Sequence, residues 1–129
     1  GDFVDFAPVT CSPRPIQDHI PVLVGGDSEA AIARAVRLAD GYFPGEGDAE
    51  RLRGLVERVR QGAEAAGRDP DSIGINAMFG AHMRDPNAGV ELLREIGVDR
   101  IMVPAFAFAG RSGLDRLSAF GEQVIQQAD

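Results

Sequence analysis

The residues best placed to do chemistry in this chain lie in one short turn, Gly25-Gly26-Asp27-Ser28. It follows the apolar run Pro21-Val22-Leu23-Val24 and precedes Glu29 to Ala35, a stretch rich in helix formers. Paired glycines let the backbone turn sharply with no side chain in the way. Asp27 or Ser28 can then accept a free N–H of the first helical turn. A glycine-lined turn at a helix start presents unpaired N–H groups and the positive end of the helix dipole, which together suit a phosphate. The same residues also make an ordinary capped strand-to-helix turn, for the stretch is neither a GxGxxG fingerprint nor a P-loop lysine motif. Asp27 weighs against an anion, since a carboxylate about 4 Å away costs roughly 1 kcal/mol even in a water-like dielectric.

The other reactive side chains are scattered. Cys11 has only Arg14 near it in sequence to lower its pKa, so it reads as an inert thiol. His19 adjoins Asp18, which could orient an imidazole, but the surrounding loop reads as solvated. With His82 far from His19, no zinc-type spacing exists. Met78, Phe79 and His82 either line a pocket or fill a core. Arg51, Arg53, Arg58 and Arg60 interleave with glutamates, the pattern of a solvated helix face.

The elements that must hold the turn follow from periodicity. Pro21 to Val24 has the short apolar character of a parallel strand buried on both faces. Ala31, Ile32, Ala35, Leu38 and Ala39 form one helical stripe, closed by Asp40-Gly41. Tyr42-Phe43 begins a second strand that Pro44 ends. After the loop Gly45-Glu46-Gly47, Asp48 caps a long helix with Leu52, Leu55, Val56, Val59 and Ala63 on one face. Gly67 ends that helix, and Arg68-Asp69-Pro70 turns the chain. A strand over 73–79 precedes a helix carrying Val90, Leu93 and Ile96, which Gly97 stops. The last strand lies near 100–103. A loop with Phe106, Phe108 and Arg111 follows, then a helix with Leu114, Leu117, Phe120, Val124 and Ile125. Residues 1–20 form an extended lead-in, because Pro8, Pro13 and Pro15 forbid a helix; Phe3, Val4 and Phe6 could make one short strand.

Strand and helix thus alternate four times, which implies parallel strands with right-handed crossovers. Four such units make half of an eight-unit barrel or a small open sheet covered on both faces, and the pattern alone leaves both open. At 129 residues the chain reads as one α/β domain. A net charge of −7 disfavours nucleic acid and anionic membranes as partners. The lone cysteine and the lack of a long apolar run fit a reducing cytoplasm. The start at Gly1 rather than Met suggests a fragment or a processed chain.

Several runs, in order along most of the chain, resemble the bacterial luciferase-like family. They are Pro13-Arg14-Pro15-Ile16-Gln17, Pro21 to Ser28, Ala33-Arg34-Ala35, Ala39-Asp40-Gly41-Tyr42-Phe43-Pro44, Gly67-Arg68-Asp69-Pro70 and Gly97-Val98-Asp99-Arg100-Ile101. The match is nearest to the family's deazaflavin-dependent oxidoreductases. The resemblance implies the C-terminal half of a TIM (β/α)8 barrel, strands five to eight, preceded by the end of an insertion segment. It implies an oxidoreductase or monooxygenase that uses coenzyme F(420) or FMN and a small organic substrate. Gly25, Gly26 and Ser28 would seat the cofactor phosphate, with Asp27 at the motif's variable position pointing away. The family's pocket for the flavin ring comes mainly from strands one to four, so no catalytic residue carries over and the fragment alone should not turn over.

A half-barrel would leave its edge strands and one sheet face uncovered, favouring pairing with an N-terminal half, self-association or marginal stability. The competing reading is a non-catalytic small α/β module that binds a phosphorylated ligand or a partner chain.

Overall fold

A computed structural model describes residues 2–10, 12–45 and 47–125. Four strands, β1 (Leu23–Gly25), β2 (Gly41–Phe43), β3 (Gly74–Met78) and β4 (Arg100–Met102), alternate with helices α1 (Glu29–Leu38), α2 (Ala49–Ala65), α3 (Pro86–Ile96) and α4 (Gly113–Phe120). All neighbouring strands run parallel, in the order β1-β2-β3-β4. Each strand thus lies beside the one that follows it in sequence, with no reversal of order, as in the wall of a barrel.

Period-two alternation divides the sheet into two unlike faces. Ile75 and Ala77 of β3, Ile73 and Phe79 flanking it, and Tyr42 from β2 are each no more than 1% exposed. They form one core with Ile32 and Ala35 of α1 and Ala39 just after it, Leu52, Leu55, Val56, Val59 and Ala63 of α2, and Leu93 and Ile96 of α3. The helix stripes expected on α1, α2 and α3 are therefore the packed faces, with two adjustments. Leu38, in the last position of α1, is 60% exposed, and Val90 is only half-buried.

The opposite face carries Leu23, Phe43, Met78 and Met102, and it is open: Leu23 is 45% and Met102 46% exposed. The expectation that β1 is buried on both faces therefore fails, because helices cover one face alone. Val22 is likewise 50% exposed at the start of this edge strand. Asn76 is the buried polar residue of the open face, at 6% exposure. Its amide donates to the Gly74 carbonyl at 3.3 Å, which satisfies it where water is scarce.

Two more expectations are corrected. Phe3, Val4 and Phe6 form no strand; they are 99%, 63% and 71% exposed. The final helix gives way at Gly121 to a wider turn, Gly121–Ile125. Of its apolar positions Val124 is buried and Phe120 half-buried, while Leu114 is 80% exposed. Leu114 lies on the side of α4 turned from the core. Gly1, Cys11, Glu46 and residues 126–129 lie outside the described residues, as does the expectation of an inert Cys11 thiol.

Candidate functional site

Parallel strands bring all their C-terminal ends to one edge of the sheet, and the Gly25-to-Ser28 turn stands on that edge. Gly26 adopts φ 106°, a left-handed conformation that a side chain would strain. Three hydrogen bonds tie the turn to β2 and the loop beyond it. The Tyr42 hydroxyl donates to the Gly26 carbonyl at 2.8 Å. The Gly26 N–H donates to the Phe43 carbonyl at 3.3 Å. The Gly45 N–H donates to Asp27 Oδ1 at 2.8 Å.

Of the two candidate caps, Ser28 is the N-cap: its Oγ accepts the Ala31 N–H at 3.2 Å. Asp27 is instead committed to the loop after β2, so its carboxylate lies to one side of the helix start. The other nearby acid, Glu29, pairs with the Arg58 guanidinium. That bond holds the Glu29 carboxyl below its usual range and the Arg58 pKa above its own. Arg58 therefore balances the Glu29 charge, whereas the Gly45 N–H orients the Asp27 carboxylate without balancing its charge. Among the described residues the backbone N–H groups of Asp27 and Ser28 have no hydrogen-bond partner. With the N–H groups of the first two residues of α1 and the hydroxyl proton of Ser28, they form a donor set of the kind a phosphate needs. Gly25, Gly26 and Ser28, the three residues singled out in the sequence, are thus contiguous and exposed at one sheet edge.

The remaining candidates separate. Phe79 is fully buried and packs against His82 and Phe120, with ring centroids 5.7 and 5.8 Å apart. Met78 points to the open face, so the Met/Phe/His cluster is split between two sides of the sheet. Phe108 packs edge-on against Phe120, whereas Phe106 is 80% exposed. His19 is oriented by Asp40, not by Asp18: Nε2 lies 2.9 Å from Asp40 Oδ2, which also accepts the Val22 N–H at 2.7 Å. The Val22 bond and then the His19 bond hold the Asp40 carboxyl below its ordinary range. This pair belongs to the strands' opposite, N-terminal ends. Among the described residues no group of three or more His, Cys, Asp and Glu side chains could hold a metal. No helix among them is long and apolar enough to cross a membrane.

Sequence reasoning missed Tyr42, which read only as a strand aromatic. The signal was present, since a tyrosine buried one residue into a strand needs a partner for its hydroxyl.

The model of the luciferase-like monooxygenase family matches residues 1–112. The chain belongs to this family. Among curated relatives, one uncharacterized protein of Mycobacterium tuberculosis is 38% identical over 104 residues, 80% of this chain and 34% of its own. A second from the same organism is 39% identical over 125 residues, 96% of this chain and 41% of its own. The FMNH(2)-dependent dimethylsulfone monooxygenase of Pseudomonas putida is 37% identical over 78 residues, 60% of this chain and 21% of its own. Among solved structures, DmoA from Hyphomicrobium sulfonivorans aligns with 58% of this chain and 18% of its own, at 26% identity and a TM-score of 0.40. The chain therefore spans between 21% and 41% of the length of these curated relatives.

Proposed function

We propose that this chain is the C-terminal, cofactor-phosphate-binding part of a flavin-dependent luciferase-like oxidoreductase, of monooxygenase type. The observation that carries the reading is the Gly25-Gly26-Asp27-Ser28 turn. In a chain of this family, it sets free backbone N–H groups at the C-terminal edge of a parallel sheet, where barrel enzymes build their sites. A relative named as FMNH(2)-dependent supports a reduced flavin over coenzyme F(420), which stays the second candidate. The N–H groups of Asp27 and Ser28 and the Ser28 hydroxyl would hold the phosphate, with α1 supplying the positive end of its dipole.

Bound there, a reduced flavin supplies the electrons for oxygen or hydride chemistry on a small organic substrate. The role of this chain is placement. The turn fixes the phosphate end, and the open face with Phe43, Met78 and Met102 gives the dry wall that such chemistry requires. That wall is half of an enclosure. We assign the other half to polypeptide corresponding to the N-terminal part of the relatives, which would pair with edge strands β1 and β4 and supply the catalytic groups. Flavin titration of this chain, alone and with that part of a relative, tests the assignment.

A further inference from the structure

We infer that Tyr42 is a positioning residue for the phosphate turn, an inference that rests on the phosphate reading above. Tyr42 is fully buried at the centre of the core, and its ring lies under the turn. Among the described residues the polar contact of its hydroxyl is the 2.8 Å bond to the Gly26 carbonyl. A carbonyl held from below fixes the peptide plane that follows it. The same plane carries the Asp27 N–H, one of the two unpartnered donors, on its opposite side. Aiming the carbonyl into the core therefore aims that N–H outward. The left-handed φ of Gly26 gives the plane freedom that a side chain would remove, so a tether is needed to select one orientation.

The second tether, Gly45 N–H to Asp27 Oδ1, restrains the side chain of Asp27 but not the Gly26–Asp27 peptide plane. Tyr42 is thus the side chain that sets the donor's direction. Its place one residue after Gly41 in the Asp-Gly-Tyr-Phe-Pro run follows from strand register. Val24 pairs with Tyr42, so the ring stands beside the residue that leads into the glycine pair.

The test compares FMN with riboflavin, which lacks only the phosphate, on the full chain alone and mixed with the N-terminal part of the 38%-identical Mycobacterium tuberculosis relative. Wild type binds FMN more tightly than riboflavin. Tyr42→Phe keeps the ring in the core and narrows that preference by about three- to tenfold, the worth of one hydrogen bond, leaving riboflavin affinity unchanged. An unchanged preference in a folded Tyr42→Phe chain overturns the positioning role while leaving the phosphate reading intact. Equal affinity of wild type for the two flavins, or no flavin binding in either setting, overturns the phosphate reading itself and this inference with it.

If the variant does not fold, the wild-type chain gives the answer. Tyr42 is its single tyrosine, so uniform 3-fluorotyrosine labelling places one fluorine reporter on that ring. Its resonance moves on saturation with FMN and not with riboflavin. A resonance that stays fixed while FMN is bound overturns the role.

Discussion

Arg68 Nη2 donates to the carbonyl of Ala39 at 2.6 Å, joining the turn after α2 to the end of α1. Nη1 of the same guanidinium donates to the Val36 carbonyl at 3.1 Å, and Nε to Ser72 Oγ at 2.9 Å. One planar side chain thus satisfies two of the carbonyls that a helix end leaves unpaired. It does so while holding the second βα unit against the first. The clamp also fixes the segment Ala39-Asp40-Gly41 that feeds β2, and hence the register that puts Tyr42 under the turn.

Removing that clamp should cost far more than its partly exposed setting suggests. Arg68→Ala is expected to lower stability by about 1.5–3 kcal/mol, the range for hydrogen bonds from a charged donor. Arg68→Lys is expected to recover little, because a single ammonium does not span three acceptors in a fixed fork. Urea unfolding midpoints at constant slope measure both. A loss below about 0.5 kcal/mol in Arg68→Ala, the scale of an ordinary surface change, would remove the clamp from the account.

Burial, and then the nearby Asp27 charge, push the Tyr42 phenol above its ordinary value of 10.0. A group whose pKa is raised on folding is favoured in its protonated form. Its contribution is complete below about pH 10 and is lost as the pH rises through the folded pKa. With one tyrosine and no tryptophan, the phenolate absorbance reports this group alone. Titration is expected to be delayed beyond pH 10 and then to coincide with unfolding. A normal, reversible phenol titration in a folded chain would contradict the buried hydroxyl.

Gly89 on α3 is required by close packing. A Cβ there would stand 2.4 Å from His82 Cβ and 3.2 Å from a Phe79 ring carbon. Gly89→Ala is therefore expected to destabilise by about 1–3 kcal/mol, the usual cost of overpacking, despite the better helix propensity of alanine. Thermal unfolding checks it, and a variant that melts at or above wild type would show that α3 can move away freely.

The open sheet face makes a prediction about association. Leu23 and Met102 are nearly half exposed on it, and among the described residues β1 and β4 are the edges of the sheet. The chain alone is expected to self-associate or to melt with low cooperativity, and to become monodisperse on pairing with the N-terminal part of a relative. Sedimentation velocity and calorimetry give both readings. A sharp monomer boundary with a cooperative melt, unchanged by that partner, would contradict the half-enclosed site.

The sequence disclosed most of this architecture because helices and parallel strands leave strong local periodicities. The apolar positions of α2, from Leu52 to Ala63, were all legible at a spacing of three and four. Ser28 was legible as a cap and Gly26 as a turn residue, since both requirements are local. What sequence could not give were long-range partners. Asp27 is bound by a backbone group 18 residues away, His19 by Asp40 at 21, and Arg68 by carbonyls 29 and 32 residues before it. The exposure of Leu23, Leu38 and Leu114 was illegible for a related reason. Their apolarity says that burial is favourable, whereas which faces are covered is decided by how many elements the fold brings together.

The central claim is that the Gly25-Gly26-Ser28 turn is half of a split flavin site. Its most direct test is titration of the chain with FMN and with coenzyme F(420), alone and mixed with the N-terminal part of the Mycobacterium tuberculosis relative. The account predicts binding that appears, or tightens by at least about tenfold, only in the mixture, with FMN preferred. Failure of both cofactors to bind when the two parts are shown to associate would contradict it and leave the turn as a capped strand-to-helix connection.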